Sequence, residues 1–284
     1  MLSYRHAYHA GNHADVLKHL ILVHCLGHMN AKDKPYLVFD THAGAGLYGL
    51  DADAARKTGE YAEGIGRLWS RDDLPPGLDD YLCLLRALNG GSRLQRYPGS
   101  PWFALRLTRE TDSLRLCELH STDFALLRRE FGADGKRLRV ERADGFEALK
   151  SALPPPSRRG LILIDPSYEV KADYLRLTTV LKDALKRFAT GMYLVWHPAL
   201  PSIEARQLPE RLKKLGATNW LHATLDVRAP SGDGRGMHGS GMFLINPPWT
   251  LAAMLEETLP YLARVLAVDD RSAWSLRQAT EPAP

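Results

Sequence analysis

The sequence is short of cysteine and of long apolar runs, and both shortages exclude classes of protein. The three cysteines, Cys25, Cys83 and Cys117, lie far apart and are odd in number. This usage argues against a disulfide framework and a thiolate zinc site, so we expect a reducing, cytoplasmic compartment. No run approaches the ~20 apolar residues that span a bilayer, and the polar, histidine-rich N-terminus is not typical of a signal peptide. We therefore expect no membrane partner.

The composition is that of a soluble globular chain with a mild basic bias. Hydrophobic residues make up 45% of the 284 residues, charged residues make up 25%, and the net charge is +4. Such a charge permits a nucleic-acid partner without requiring one. The length suits one domain with an insertion, and we expect disorder in the tail at 277–284.

The most informative stretch is a strand that ends in an acid. Four aliphatic residues at 161–164 predict a strand buried on both faces, and Asp165, Pro166 and Tyr168 follow it directly. Ligands of an open α/β sheet bind beyond the carboxyl ends of its strands. This position predicts that Asp165 and Tyr168 take part in the chemistry.

A second apolar strand, 36–40, ends at Asp40 and runs into the glycine turn 44–49. The turn matches G-x-G-x-x-G, a weak signal by itself, and a tight strand-to-helix turn without a ligand stays an alternative. Two details favour S-adenosylmethionine over a dinucleotide. An acid closes the strand before the glycines, and the next acid-tipped strand comes at Glu118, later than the ~20 residues of a dinucleotide fold.

Two further strands also end in acids. The segment 114–118 ends at Glu118, which is placed to accept both hydroxyls of a ribose. The strand that begins at 137–140 is followed by Asp144, which could accept from the cofactor's adenine amino group. Four acids in this order, with the glycine turn after the first, predict an α/β, Rossmann-like fold of the class I S-adenosylmethionine-dependent methyltransferases.

Six of the eleven histidines fall in the first 28 residues. We predict that Asn12 or His13 precedes a helix at 14–28 packed on the sheet, with Lys18 and His19 on or near its polar flank. Three interpretations of the arm before this helix stay open: a substrate- and cofactor-facing arm, a solvated basic arm, and a metal site. The adjacent His-Asp pair of metal-dependent phosphohydrolases does not occur in the chain, and we expect no metal.

Residues 50–97 are typical of an inserted helical subdomain, with helices near 61–69 and 78–88. The insertion could guide a substrate or cap the sheet edge, and the sequence leaves both open. The chain re-enters through a constrained turn before a helix at 102–109, where Ser100 caps the helix or reaches a ligand.

The C-terminal part predicts a helix at 174–188, a fifth strand at 192–196 and a closing hairpin formed by 219–227 and 241–245. The loop at 231–239 either touches a phosphate backbone or simply joins the hairpin strands.

The order acid-Pro-x-aromatic at Asp165 resembles the Asp-Pro-Pro-Tyr signature of amino-group methyltransferases, which act on adenine N6 or a similar exocyclic amine. Ser167 stands where the second proline is usual. With serine here, both hydrogen-bond acceptors remain, namely the side chain of Asp165 and the carbonyl of Pro166. The backbone that orients them is less rigid, so we expect an active enzyme with a lower rate. The tetrad Asn-Pro-Pro-Trp at 246–249 fits the signature better when taken alone, but it follows the last predicted strand, and we interpret it as an exit turn of the sheet.

Nearly the full chain resembles the bacterial 23S ribosomal RNA adenine-N6 methyltransferase family, large-subunit methyltransferase J. The most specific matches are Tyr-Arg-His at 4–6, His-Ala-Gly-Asn at 9–12 and Asp-Val-Leu-Lys-His at 15–19. The other matching segments are 40–46, 97–101, 158–166 and 245–249.

This resemblance implies S-adenosyl-L-methionine as cofactor and a proton-accepting role for Asp165. The implied cofactor contacts are His19, His42, Ser100, Glu118, Asp144, Gly145 and Asp165. The predicted substrate contacts are Tyr4 and Tyr168 on either side of the target base, the carbonyl of Pro166 on its amine, and Arg5, His6 and Lys18 on the RNA backbone.

We therefore expect N6-methylation of an adenine in 23S ribosomal RNA, naked or in an assembly intermediate, by a monomer. Three alternatives stay open. A DNA adenine methyltransferase would normally carry a recognisable target-reading domain. A non-catalytic nucleic-acid binder would suit the family's link to the use of external DNA as a nutrient, and a phosphohydrolase would need metal on the N-terminal histidines.

Overall fold

An eight-stranded sheet forms the centre of the protein. The computed structural model describes residues 5–91, 93–132, 137–232 and 236–279. The strands are β1 (Leu37–Asp40), β2 (Leu47–Gly49), β3 (Arg96–Pro98), β4 (Ser113–Cys117), β5 (Leu138–Glu141), β6 (Gly160–Ile164), β7 (Met192–Ala199), β8 (Trp220–Asp226), β9 (Gly239–Ile245) and β10 (Ala273–Ala279). The α-helices are α1 (His13–Asn30), α2 (Asp53–Thr58), α3 (Glu60–Glu63), α4 (Pro76–Leu88), α5 (Ser100–Leu107), α6 (Ser121–Phe131), α7 (Gly145–Ala152), α8 (Ala172–Arg187), α9 (Ile203–Lys213) and α10 (Leu251–Val265).

The sheet has the strand order β10-β8-β9-β7-β6-β1-β4-β5, and β2 and β3 form a separate pair. β1 lies between β4 and β6 and is parallel to both, so the strand order reverses beside β1. The carboxyl ends of β1, β4, β5 and β6 meet at one edge, where ligands bind in sheets of this kind. The predicted α/β fold class is confirmed.

α1 is an interior helix rather than a surface one. Asn12 caps it by accepting hydrogen bonds from the backbone N–H groups of Ala14 and Asp15. Lys18 is 4% exposed and His19 is 1% exposed, so the prediction that they lie on a polar flank is wrong. The physical reason is that α4, α5 and α10 pack on α1 and cover the faces that the sheet leaves open.

The insertion shares its core with the rest of the protein. Tyr81 and Leu85 of α4 lie in the same apolar cluster as Leu17 of α1. The Tyr97 hydroxyl, at the end of the insertion, hydrogen-bonds the Tyr81 hydroxyl and His19 Nδ1, both at 2.8 Å. The helix predicted at 61–69 is in fact α3 followed by a short 3-10 segment, and the insertion covers α1.

The C-terminal segment extends the sheet. Arg277 and Ala279 of β10 pair antiparallel with His222 and Trp220 of β8, so the predicted disorder is wrong for 277–279. The reason is that the edge of β8 offers unpaired backbone groups that a further strand satisfies. Residues 280–284 lie outside the described residues.

The tetrad at 246–249 lies at the opposite edge of the sheet from Asp165. β9 runs antiparallel to β7, so its end at Ile245 pairs with Tyr193 near the start of β7. The Asn246 amide donates to the carbonyls of Ala189 (2.8 Å) and Gly191 (2.7 Å). The tetrad thus lies away from the ligand edge, but the expectation that it follows the last strand is wrong, because the chain returns to the sheet as β10.

Candidate active site

A cavity of about 590 Å³ opens at the carboxyl ends of the parallel strands. It brings together ten of the predicted site residues: His6, Lys18, His19, His42, Ser100, Glu118, Asp144, Gly145, Asp165 and Pro166. Of the other three, Tyr4 lies outside the described residues, and Arg5 and Tyr168 are not among the residues that line the cavity.

Asp40 closes β1 beneath this cavity and is 1% exposed. Its Oδ2 accepts a hydrogen bond from Ser100 Oγ at 2.6 Å, and its Oδ1 accepts one from the His42 backbone N–H at 3.2 Å. Burial raises the pKa of Asp40 to about 7, against the effect of these two bonds. Ser100 therefore serves the buried acid, and it makes no side-chain cap on α5.

The glycine turn needs glycine for backbone reasons. Gly44 and Gly46 have φ values of 62° and 79°, in the left-handed region that favours glycine. A Cβ on Gly44 would lie 2.4 Å from Tyr48 Oη. The turn leads into β2 rather than into a helix, so the alternative of a strand-to-helix turn is wrong, and the turn leaves backbone at the cavity without Cβ atoms.

Glu118 follows β4 and is held by two backbone amides. Its Oε2 accepts from Gly44 N–H at 2.8 Å and its Oε1 from His120 N–H at 2.7 Å. Burial raises its pKa, and the two amide bonds oppose that rise. Each carboxylate oxygen accepts up to two hydrogen bonds, so the pair of oxygens retains the capacity to accept both hydroxyls of a ribose.

Asp144 and Gly145 link the end of β5 to the start of α7. Asp144 Oδ1 accepts from the Phe146 N–H at 3.0 Å, and its Oδ2 pairs with Arg176 Nη2 at 2.8 Å. A Cβ on Gly145 would lie 2.0 Å from the Thr41 carbonyl oxygen. The predicted contact of Asp144 with an adenine amino group would thus compete with its bond to Arg176.

Two neutral histidines face the cavity beside these acids. Burial lowers the pKa of His42 to about 4 and that of His19 well below its usual value. His19 Nδ1 bonds the Tyr97 hydroxyl, while His19 Nε2 is buried without a hydrogen-bond partner among the described residues. This unmet nitrogen and the open lone pairs of Glu118 fit a bound adenosyl cofactor.

Asp165 follows β6 and forms a buried network with α1. Lys18 Nζ lies 2.6 Å from Asp165 Oδ2 and 2.9 Å from Asp15 Oδ1. Asp15 Oδ2 accepts from Gly11 N–H at 2.9 Å and lies 2.8 Å from His6 Nε2. Burial lowers the pKa of Lys18, but the two carboxylates outweigh it and raise that pKa well above its usual value.

Lys18 therefore lies inside the site, and its burial contradicts the predicted contact with the RNA backbone. Sequence analysis missed the role of Asp15, which is 1% exposed and is the second carboxylate that pairs with Lys18. The available signal was the i, i+3 spacing of Asp15 and Lys18, which places both side chains on one face of a helix.

Tyr168 lies in the core rather than in the cavity, which contradicts its predicted stacking on the target base. It is 7% exposed, and its hydroxyl donates to the Trp196 carbonyl oxygen at 2.6 Å. Its φ of 54° is in the left-handed region, and its ring packs 4.6 Å from that of Tyr174. The aromatic side chain that lines the cavity near Asp165 is Trp196, whose ring centroid is 6.0 Å from Lys18 Nζ.

The register of the sheet explains this placement of Trp196. Ile164 of β6 pairs with Val195 of β7, so Trp196 follows in register beside Asp165. The signal was the alignment of two predicted strand ends, which sequence analysis did not use.

Within the described ranges, His, Cys, Asp and Glu side chains form no group of three that could hold a metal ion. In the same part of the chain, no helix is long and apolar enough to cross a membrane.

Acids at the ends of four neighbouring strands of the sheet, a glycine turn after β1 and a cavity that fits an adenosyl group define an S-adenosylmethionine-dependent methyltransferase. The sheet order places all of these features at one edge.

Known proteins agree with this class. The family model for ribosomal RNA large subunit methyltransferase D, RlmJ, matches residues 33–278. Ribosomal RNA large subunit methyltransferase J of Escherichia coli (strain K12) is 50% identical over 262 residues, which cover 92% of this chain and 93% of that protein. The protein of the same name from Haemophilus influenzae (strain ATCC 51907 / DSM 11121 / KW20 / Rd) is 44% identical over 281 residues, 99% of each chain.

The chain therefore belongs to the RlmJ family of ribosomal RNA methyltransferases, as predicted, and S-adenosylmethionine is its methyl donor. A crystal structure of a protein from Legionella pneumophila str. Philadelphia 1 has the same fold, with a TM-score of 0.88 and 35% identity. The similarity covers 96% of this chain and 99% of that one.

Proposed function

We propose that this enzyme methylates N6 of an adenine in 23S ribosomal RNA, as naked RNA or an assembly intermediate. The observation that carries the proposal is the position of Asp165 and Pro166, which follow β6 at the cavity that Glu118 and Gly44 also line. Lys18 holds Asp165 Oδ2, and Asp165 Oδ1 makes no hydrogen bond to any described residue. One carboxylate oxygen is thus fixed and the other is available to a substrate.

The proposed chemistry uses two acceptors on one amine. The lone pair of an adenine amino group is delocalised into the ring, so the amine is a poor nucleophile. Asp165 Oδ1 and the Pro166 carbonyl accept hydrogen bonds from the two N–H groups of this amine, which increases the electron density on its nitrogen. The cofactor supplies the electrophilic methyl group. As the N–C bond forms and the C–S bond breaks, Asp165 accepts the proton that the nitrogen must lose.

The arrangement of the cavity suits a target base that is unpaired or flipped out of the RNA helix. Trp196 offers a face on which such a base stacks, in place of the predicted Tyr168, and stacking of this kind is tolerant of sequence. We further propose that the enzyme acts as a cytoplasmic monomer, and its few, widely separated cysteines suit a reducing compartment.

A direct test offers methyl-labelled S-adenosylmethionine with naked 23S ribosomal RNA, assembled large subunits and double-stranded DNA in parallel. We expect label in the naked RNA and little in the assembled subunits or DNA. Asp165→Asn should remove the label, while Asp183→Asn, at a partly exposed acid of α8, should retain it. Label in DNA alone, or in no nucleic acid, would contradict the proposal.

A further inference from the structure

The cavity extends beyond the groups assigned to the cofactor and the reacting amine. This part, called here the β8 pocket, is lined by His13, Glu60, Val227, Arg228, Leu266 and Val268. Val227 and Arg228 directly follow β8. Because β8 and β7 are both antiparallel to β9, the end of β8 reaches the same edge of the sheet as Asp165.

His13 forms the buried end of the β8 pocket. The side chain begins α1, is 8% exposed, and its Nε2 is buried without a hydrogen-bond partner in the part of the chain that the structure describes. Burial lowers its pKa to about 4, so the ring is neutral at neutral pH. A buried polar atom left unpaired costs free energy, and a ligand that bonds Nε2 would remove that cost.

Glu60 places a fixed acceptor near His13. Its Oε1 lies 2.9 Å from His9 Nδ1 and its Oε2 accepts from Asn12 Nδ2 at 2.9 Å. Its negative charge acts on His13, so the two side chains share one region of the cavity. Each oxygen keeps a further lone pair, and the half-exposed carboxylate faces the cavity.

Arg228 gives the opposite side of the β8 pocket a positive charge. The side chain is exposed and makes no ion pair with the described residues, yet its charge reaches His13. Beside it, Val227 and Val268 form an apolar wall, joined by a hydrogen bond from Val268 N–H to the Val227 carbonyl at 2.7 Å. These groups together suit an RNA nucleotide. The guanidinium matches its phosphate, the neutral imidazole and the carboxylate match the edge of its base, and the apolar wall matches the face of its base.

We propose that the β8 pocket binds the RNA nucleotide next to the target adenine, with His13 and Glu60 at its base edge and Arg228 at its phosphate. The proposal rests on the proposed function and deepens it, because it assigns a second nucleotide subsite to the same cavity. Enzymes that act on an extruded base take part of their selectivity from contacts to flanking nucleotides.

The test is a double-mutant cycle between the protein and its RNA. The substrate is a 23S fragment that the wild-type enzyme methylates. It is compared with two copies of the same fragment that carry an abasic residue on the 5′ or the 3′ side of the target. We expect one of these abasic RNAs to lower kcat/KM of the wild type by about tenfold. His13→Leu should lower kcat/KM on the intact RNA by a similar factor, and its kcat/KM should not fall further on that abasic RNA. His13→Gln, which keeps a polar atom at similar reach, should retain most of the activity.

Independent losses would overturn the inference. If neither abasic RNA is a poorer substrate, or if the losses from His13→Leu and from the missing base multiply, the β8 pocket does not bind a neighbouring nucleotide. These outcomes differ from failure of the proposed function, in which the wild type transfers no methyl group to any 23S fragment.

Arg228→Ala provides a second test that does not depend on the fold of α1. We expect the slope of log KM against log salt concentration to fall by about one, as for the loss of one phosphate contact, with an unchanged Kd for S-adenosylmethionine. Arg187→Ala, at the exposed end of α8, should leave the slope unchanged. An unchanged slope in Arg228→Ala would refute the phosphate contact.

Discussion

Replacing Lys18 with methionine should destabilise the protein far more than the loss of an ordinary ion pair. Lys18 is 4% exposed, and its Nζ lies 2.9 Å from a carboxylate oxygen of Asp15 and 2.6 Å from one of Asp165. Methionine has a similar length and fills the space, but it leaves two neighbouring carboxylates in the interior without their cation. Removing one partner of a buried ion pair costs about 3–5 kcal/mol, because the remaining charge is uncompensated.

This free energy converts into a measurable shift of the melting temperature. The unfolding entropy of globular proteins is about 2.1 cal/mol/K per residue, so a chain of 284 residues has about 0.6 kcal/mol/K. We therefore expect Lys18→Met to lower Tm by about 5–8 °C at pH 7. Adding Asp165→Asn should recover part of the loss, because it removes one of the two unpaired charges.

The matched control is Lys150→Met on α7. Lys150 also pairs with an acid three residues earlier, Glu147 at 2.7 Å, but both side chains are about half exposed. Exposed pairs contribute about 0–1 kcal/mol, so this variant should shift Tm by less than about 2 °C. Calorimetry of both variants without cofactor measures the difference, and equal shifts would refute the argument from burial.

Three further predictions concern the frame of the site. Gly145→Ala should lower both Tm and cofactor affinity, because its Cβ would lie 2.0 Å from the Thr41 carbonyl oxygen. The control is Gly27→Ala on α1, whose Cβ meets nothing within 4 Å and which should raise the free energy of unfolding in urea by up to about 1 kcal/mol. An unchanged Tm and cofactor affinity in Gly145→Ala would contradict this. Burial raises the pKa of Asp40 from 3.8 to about 7, so the folded state keeps a proton that the unfolded state releases between those values, and stability falls as pH rises through that window. Asp40→Asn should flatten the dependence of the urea midpoint on pH, and an unchanged slope would count against it. Trp196→Leu should raise KM for RNA roughly tenfold with an unchanged cofactor Kd, while Trp274→Leu on the distant strand β10 should change neither, and equal effects would reject the stacking role.

The sequence predicted most of the sheet because its strands carry strong local signals. β1 and β6 are short apolar runs, β4 and β5 carry an apolar residue at every second position, and an acid ends or follows each of the four. Their order along the chain implies one ligand edge. β10 carries no such signal, since its side chains are largely exposed, and its place depends on the free edge of β8. A local pattern cannot predict a strand whose formation depends on a partner distant in the sequence.

The candidate site was predicted in its residues and only partly in its contacts. Asp165 and Glu118 reach the cavity because the ends of parallel strands determine their position. The roles given to Lys18 and Tyr168 failed for another reason, which is that α4, α5 and α10 bury α1 and that a left-handed φ turns Tyr168 into the core. Burial by distant segments and a single backbone conformation leave no periodic trace in the sequence.

The most direct measurement of the central claim is the identity of the methylated nucleoside. 23S ribosomal RNA treated with wild-type enzyme or with Asp165→Asn is digested to nucleosides and analysed by mass spectrometry. We predict N6-methyladenosine with the wild-type enzyme and none above background with Asp165→Asn, assayed at a temperature at which circular dichroism shows that variant to be folded. A methyl group on another nucleoside, or equal N6-methyladenosine from both enzymes, would contradict the account.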